Sequence, residues 1–368
     1  MKFSRDKKVL GFLLLIFHIF LFTGLYIEGI EPASSDKRAL PKIVEIERGE
    51  SLLSIASKLK KEGLIRSSSV FVLEALRRGV YRDFKAGEYA LYPYQSLSEI
   101  FEILIKGKVY LHRITIPEGA TLWQIAEALE REKICSKEEF IKWAENPDFI
   151  SELGLPGPTA EGYLFPETYF FAKKTPPPLI IKVMTNKFKE IWQELEDLAI
   201  KRGLSLKEVV ILASIVEKEA FHESEKPIIA GVYFNRLKRG MPLQADPTIN
   251  YALKTFRRLT YKDYHSVKSP YNTYLNPGLP PTPIGNPGKS SLLAVLKPAK
   301  VPYLYFVATP EKKHIFSRTY KEHLTAIYKI RNSLKIETFK MENSTSLSYE
   351  KFSINETLSI ADRDLKPL

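Results

Sequence analysis

The chain has 368 residues, 44% apolar and 27% charged, which is enough for two modest domains and incompatible with wholesale disorder. Its single cysteine, Cys135, excludes an intramolecular disulfide and offers no cysteine-based metal site. The formal net charge of +12 admits nucleic acid, an anionic membrane or an acidic polymer as partner. Lysine and arginine are, however, interspersed with glutamate and aspartate, so no nucleic-acid partner is expected.

Residues 1–8 carry Lys2, Arg5, Lys7 and Lys8 ahead of a nearly unbroken apolar run from Val9 to Ile27. As a helix that run is about 28 Å long at about 1.5 Å per residue, close to the roughly 30 Å of a bilayer's hydrocarbon core. Residues 9–28 are therefore expected to anchor the chain in the cell membrane as a single pass. By the positive-inside rule the N-terminus is cytoplasmic, and the rest lies on the outer, periplasmic face. A cleaved signal peptide is the competing reading. It calls for a shorter apolar region and a small-x-small cleavage site, which the following EGIEPASSDK supplies poorly. His18 within the run reads as a tolerated polar residue. No Gly-rich phosphate loop is present, and ATP-dependent chemistry is disfavoured.

After a linker at 29–42, two segments repeat at a constant offset. VEIERGESL at 44–52 runs on to Ile55-Ala56, and ITIPEGATL at 114–122 runs on to Ile125-Ala126. Each predicts a short strand, a turn at Gly49 or Gly119, then a helix capped by Ser51 or Thr121. Leu52, Ile55, Ala56 and Leu59 share one helical face, as do Leu122, Ile125, Ala126 and Leu129. Between the copies, 86–92 reads as a strand and 96–105 as a helix. The pattern over 43–154 resembles the LysM-type module of peptidoglycan-binding proteins. A generic α+β packing unit is the alternative.

Leu155-Pro156-Gly157-Pro158 marks the expected start of a second domain, 155–334. EGYLFPETY at 161–169 reads either as an aromatic loop packed on a core or as a cleft wall suited to sugar rings. Ser205 to Glu208 forms a capping box. Val209 to Val216 then predicts a helix apolar on nearly every side, hence buried. It ends in Glu217-Lys218-Glu219. A carboxylate leaving a buried helix is poised to act as a general acid. It can equally mark a solvated helix end, and periodicity does not choose between the two glutamates. Phe234 to Leu237 reads as helix and Pro302 to Val307 as a buried strand. The loops between them are dense in Pro, Asn, Thr and Tyr, which suits a neutral polyhydroxylated substrate.

Taken in order, ASIVEKEA, FNRL, LQADPT, YNTY, GLPPTPI and PYLYFV resemble the catalytic domain of the endolytic murein transglycosylases, the MltG/YceG-like family. The anchor and the LysM-like region fit that family's membrane-proximal half. The resemblance implies an α+β lyase that cuts the bond between N-acetylmuramic acid and N-acetylglucosamine in nascent peptidoglycan strands, leaving 1,6-anhydro ends. It also selects Glu219. Lytic transglycosylases carry an Ile-x-x-x-Glu-Ser pattern, and Ile215 to Ala220 fits it with alanine at the serine position. Gln244, Asp246, Tyr271, Asn272 and Thr273 are the candidates for holding the sugar or tuning Glu219. The histidines lack metal-ligand spacing, His314 and His323 read as structural, and no metal or cofactor is expected. Glycan strands and the membrane are the expected partners, with peptidoglycan synthases as neighbours. A glycan hydrolase of the same fold and a non-catalytic peptidoglycan-binding scaffold are the alternatives. The polar segment 335–368 reads as a mobile extension of unassigned function.

Overall fold

The computed structural model describes residues 2–343, with side chains described from 8 to 333. The expected extension at 335–368 lies largely outside the described residues. Its first part continues the last helix, to Asn343. The architecture is mixed α+β, with helices dominating and strands confined to two-stranded pairs. Two compact units emerge. One comprises Met1–Arg113, Glu132–Ile134 and Phe170–Thr175, and the other Ile114–Arg131, Cys135–Tyr169 and Pro176–Leu368.

In the first unit, helix α1 (Lys2–Ile30) contains 23 residues, Lys8–Ile30, long and apolar enough to cross a membrane. This is the segment expected at 9–28. The ring of His18 bonds the carbonyl of Leu14 at 2.6 Å, so its polarity is met within its own helix. Strand β1 (Lys42–Ile46) leads through the turn at Gly49 into α2 (Leu52–Lys61). Ser51 caps that helix, accepting from Ser54 N at 3.2 Å. Helix α3 (Ser68–Arg77) follows, then strand β2 (Gly87–Leu91), antiparallel to β1 with Val44 opposite Tyr89. Helix α4 (Leu97–Lys106) closes the unit behind a capping box of Ser96 and Glu99. The apolar faces of these elements meet in one core around Leu59, Phe71, Tyr89 and Phe101, which is what the helical spacing of Ile55, Ala56 and Leu59 predicts.

Strand β3 (His112–Thr115) begins the second copy of the repeat, which continues in α5 (Leu122–Arg131) and α6 (Lys137–Ala144). β3 pairs with β4 (Thr168–Phe171), as β1 pairs with β2, but here three helices separate the strands instead of two. The division at residue 155 expected from sequence differs from the compact units, which place Ile114–Arg131 with the rest of the second unit. Hydrogen bonding explains this. Gly119 N donates to Asn286 O at 2.7 Å, and Asn286 N donates to Ala120 O at 2.9 Å. The turn of the second copy is thus paired to a loop almost 170 residues away in sequence.

The remainder of the second unit is helical around α10 (Leu206–Glu219). In chain order come α7 (Pro147–Glu152), α8 (Pro177–Gln193), α9 (Glu196–Arg202), α10, α11 (Lys226–Lys238), α12 (Asp246–Ala252), α13 (Tyr261–Ser266) and α14 (Lys289–Leu296). The hairpin β5 (Tyr305–Ala308) and β6 (His314–Ser317) and the helix α15 (Tyr320–Asn343) complete it. The stretch 161–169 is no cleft wall. Tyr163, Leu164 and Phe165 are buried in the core, and Tyr163 donates to Pro156 O at 3.0 Å. Aromatic side chains contribute most when their whole area leaves water, and here the loop doubles back to allow that.

Candidate active site

Helix α10 begins at the expected capping box. Ser205 Oγ accepts from Glu208 N, and Glu208 Oε2 accepts from Ser205 N at 2.9 Å. Every residue from Val209 to Val216 is buried, because α11 and α14 pack against this helix. The helix stops at Ala220, whose backbone turns extended. Glu217 and Glu219 leave its last turn in different directions.

Glu217 is 7% exposed and enters an ion-pair knot. Its Oε1 accepts from Lys226 Nζ at 3.0 Å and its Oε2 from Gly288 N at 2.9 Å. Lys226, 3% exposed, also meets Glu223 at 2.6 Å, Glu118 at 3.6 Å and Ser290 Oγ at 2.7 Å. Burial pulls the Lys226 ammonium down, but the bonds and charges of Glu223 and Glu217 outweigh it and hold its pKa above the ordinary value. Glu118 shifts upward through burial and the charge of Glu217. The knot is a structural joint: its carboxylates are committed to one ammonium.

Glu219 takes the other direction. Half-buried, it lines a cleft of about 960 Å³, and its Oε1 accepts from Tyr233 OH at 3.1 Å. Tyr233 is fully buried on α11. Burial first, then the charge of Glu219, raises its pKa well above that of ordinary tyrosine, so it remains a hydroxyl donor at any working pH. Lys226 and Tyr233 lie two turns apart on α11 and share a face. One helix therefore holds both glutamates, Glu217 at its start and Glu219 at its middle. Arg236, a turn further on, spans the base of the cleft. Its guanidinium donates to Leu304 O, Pro242 O, Leu243 O and Gln244 Oε1 at 2.7–3.0 Å and lies 5.1 Å from the centre of the Tyr305 ring.

Two of the other residues expected at the site line this cleft. Gln244, in a left-handed conformation at φ 52°, holds Arg236 through its side chain and Thr273 O through its backbone N–H. Asp246 stands in the first turn of α12, a short helix where the sequence suggested a loop. Its carboxylate accepts from Tyr274 OH at 2.7 Å and Tyr264 OH at 3.2 Å. The remaining three are not among the lining residues. Asn272 is fully buried, donating to Tyr264 O and Val267 O and accepting from Tyr274 N. Thr273 is also buried, bonding Ala245 N and Thr248 Oγ1. Tyr271 bonds Thr282 Oγ1 at 2.6 Å. These residues build the frame that fixes Gln244 and Asp246.

The sequence did not single out Tyr233 or Tyr264, and it read Arg236 and the opposite wall only as helix, buried strand and structural histidines. The strand expected to be buried, β5, has only Val307 fully buried, and it turns Tyr305 and Phe306 to the cleft. His314 and His323 line the same wall. His314 Nδ1 lies 2.8 Å from Glu225 Oε2. Burial and the charge of Arg236 push His323 down to about 4, so its ring is neutral at neutral pH. Among the described residues no three His, Cys, Asp or Glu side chains converge as a metal site. What the cleft offers is tyrosine hydroxyls, aromatic faces, three imidazoles, the cations of Arg236 and Lys218, and the carboxyls of Glu219 and Asp246. That inventory suits a neutral, hydroxyl-rich polymer and proton transfer to one of its oxygens.

Relatives place this arrangement. The protein is 38% identical to the endolytic murein transglycosylase of Bacillus subtilis over 315 residues, covering 80% of this chain and 86% of the relative. It is 30% identical over 312 residues to the endolytic murein transglycosylase of Streptococcus pneumoniae strain D39, covering 76% of this chain and 56% of that longer protein. The crystal structure of a YceG-like protein from Listeria monocytogenes superposes with a TM-score of 0.55 at 34% identity, covering 78% of this chain and 99% of that one. The YceG-like family profile matches residues 44–329, a span that holds both copies of the repeat, the knot and the whole cleft, and the chain belongs to the YceG-like family.

Proposed function

We propose that this protein is an endolytic murein transglycosylase, a lyase acting on peptidoglycan glycan strands, with Glu219 as its single acid and base. The observation that carries the assignment to Glu219 is its position. It is the carboxyl that leaves a fully buried helix into the cleft, oriented by a tyrosine that stays protonated, while Glu217 two residues earlier is tied into an ion-pair knot.

In the reaction, protonated Glu219 donates to the glycosidic oxygen between N-acetylmuramic acid and N-acetylglucosamine. The C1–O bond breaks and positive charge develops at the anomeric carbon, where the substrate's own N-acetyl oxygen is placed to share it. Glu219, now a carboxylate, accepts the proton of the 6-hydroxyl as that oxygen bonds to C1 and closes the 1,6-anhydro ring. The proton count is restored and no water enters the product. Tyr233 fixes the carboxyl's orientation throughout, and the nearby charge of Arg236 favours the carboxylate formed midway. Gln244 and Asp246 hold the sugar at the base of the cleft, and Tyr305 and Phe306 offer ring faces to it.

Helix α1 is the anchor, with its N-terminus cytoplasmic and both compact units outside, so that cleavage falls on strands still close to the membrane and beside the synthases that make them. The β1-α2-α3-β2 order supports a LysM-like reading of the first unit, with glycan as its ligand. Asp246 in the same cleft also favours a second reading, a hydrolase in which it activates water. Mass spectrometry of uncrosslinked glycan strands incubated with wild type and with Glu219→Gln separates these. Anhydro-ended products from wild type alone are expected. Products heavier by one water would make the enzyme a hydrolase. Cleavage undiminished in Glu219→Gln would remove Glu219 from the mechanism.

A further inference from the structure

The first unit carries an apolar stripe for which its own core has no use. On α3, Ser69, Leu73 and Leu76 follow one another at four- and three-residue spacing, the repeat of a single helix face. Leu73 is 39% exposed and Leu76 53%, and Tyr81 just beyond the helix is 43% exposed. The opposite face of the same helix, with Phe71 and Ala75, is fully buried. Two arginines lie beside the stripe, Arg77 and Arg82, the latter 5.3 Å from the centre of the Tyr81 ring.

The location of α3 says what this face meets. It is fastened to the end of α1. A Cβ on Gly29 would come within 2.5 Å of Val70, so only glycine allows the two helices to approach this closely. Tyr26 OH donates to Glu74 Oε2 at 2.5 Å. Arg77 and Arg78 close on the same carboxylate at 2.6–2.7 Å, and the Arg77 bonds lead in holding Glu74 down at about 2. Arg66 Nε ties Pro32 O, just past α1, at 2.7 Å. A groove of about 430 Å³ runs between the two helices, with Phe22 and Leu25 on one side and Val70 and Leu73 on the other. Phe22 lies about 12 Å before the end of α1, at about 1.5 Å per residue. A helix of 23 spanning residues is only slightly longer than the roughly 30 Å core it crosses. With Phe22 and Leu25 in hydrocarbon, Leu73 in the same groove cannot stand in bulk water.

We infer that the Leu73–Leu76 face of α3, with Tyr81 just beyond the helix, is a membrane-seating surface, sunk into the boundary between acyl chains and headgroups of the leaflet from which α1 emerges. The stripe supplies the buried apolar side, and Arg82, with the largely exposed Arg77, faces anionic lipid phosphates. The consequence is positional. The anchor is not a flexible tether, because the βααβ unit is held against the lipid surface at a fixed height. The inference rests on the reading of α1 as a membrane anchor.

The test uses the full chain reconstituted in lipid nanodiscs containing an anionic phospholipid, one copy per disc. In a Cys135→Ser background, an environment-sensitive fluorophore is attached at one of four single cysteines: Phe20→Cys, Leu73→Cys, Leu76→Cys or Lys61→Cys. Quenching by brominated acyl chains and by an aqueous iodide quencher is then read. Phe20 reports on the anchor itself and Lys61, on α2, on solvent. The expected result is lipid quenching and iodide protection at positions 20, 73 and 76, with the reverse at 61. Lipid quenching at 20 with iodide quenching at 73 and 76 would overturn the seating surface and leave the anchor standing. Iodide quenching at 20 would remove the anchor and the seating surface together. Positions 73 and 76 shielded from both quenchers would assign the face to a protein neighbour and overturn the inference.

Discussion

The two faces of the last turn of α10 treat the same side chain in opposite ways. On one, Glu217 is buried against an ammonium and a backbone N–H, with two further carboxylates crowding the same lysine. On the other, Glu219 meets a neutral phenol at the edge of an open cleft. A buried carboxylate matched to a fixed cation and a backbone N–H serves as a joint. Glu219 opens to the cleft instead, where a substrate oxygen can reach it, and reach is the first requirement of acid–base chemistry. Helix α11 serves both, carrying Lys226 to Glu217 and Tyr233 to Glu219.

The sharpest break in that comparison is Glu219→Gln. The glutamine oxygen still accepts from Tyr233, so the fold should hold, while turnover falls about 10²–10⁴-fold, the usual contribution of a general acid or base. Thermal melting and anhydro-product formation measured together check this. Lys226→Met should do the reverse and act first on stability. It strands Glu217 as a buried charge without its cation, at a cost of about 3–5 kcal/mol. Adding Glu217→Gln should return most of that loss, since the neutral pair no longer buries a charge. Urea midpoints of the single and double variants decide it. Equal loss in both would mean that the knot matters for packing rather than charge.

Tyr233→Phe sharpens the other side. It removes one hydrogen bond to a carboxylate, about 1.5–3 kcal/mol, without opening a cavity. Turnover should fall about 10- to 100-fold, at about 1.4 kcal/mol per factor of ten, with KM little changed. A hydroxyl donor favours the ionised carboxylate, so its loss favours the protonated acid. The alkaline limb of the pH–rate profile should therefore move to higher pH. A fall in rate with an unmoved limb would limit Tyr233 to packing.

Local features of this site were legible in the sequence because their causes are local. The capping box at Ser205, the glycine turns at 49 and 119, the continuous apolar run of α10 and the membrane-length helix all stand where their residues predict. Periodicity did not separate Glu219 from Glu217, and only the family resemblance pointed to Glu219, because what distinguishes the two is what α11 and the loop at Gly288 bring to each. Tyr233 and Arg236 sit in a helix whose apolar and polar residues show no clean stripe, since that helix packs on the core and floors a cleft at once. Asn272 and Thr273 misled in the other direction. A loop rich in amides and hydroxyls can face a sugar or satisfy buried backbone, and here it satisfies Tyr264 O, Val267 O and Ala245 N.

Glu161 tests whether a carboxylate buried without a direct ion pair, with Lys218 acting only through its charge, behaves differently from the knot. Its carboxylate accepts from Leu122 N, Asn286 Nδ2 and Tyr251 OH at 3.0–3.2 Å, and burial pushes its pKa up to about 7 from 4.5. An unfolded chain releases this proton near 4.5, whereas the folded one keeps it to about 7. Between those values the unfolded state binds fewer protons, so stability falls as pH rises, by up to about 1.4 kcal/mol per pH unit. Below 4.5 the contribution is fully present. Glu161→Gln should flatten this part of the stability–pH curve, and the difference between the two curves isolates it. A difference that grows above pH 7 would place the titration elsewhere.

The smallest expected effect separates the two copies of the repeat. Gly49 and Gly119 occupy the same turn at φ 81° and 74°, so alanine strains the backbone at each by a similar amount, about 1 kcal/mol. Their surroundings differ. A Cβ on Gly49 meets nothing within 4 Å, whereas on Gly119 it stands 3.3 Å from Glu217 Cγ. Gly49→Ala should thus show the backbone strain alone and leave turnover unchanged. Gly119→Ala should add a few tenths of a kcal/mol and also lower turnover slightly, because the atom it presses on belongs to the joint at the same helix end as Glu219. Equal turnover in the two variants would show that the end of α10 tolerates displacement on the Glu217 side without passing it to the cleft.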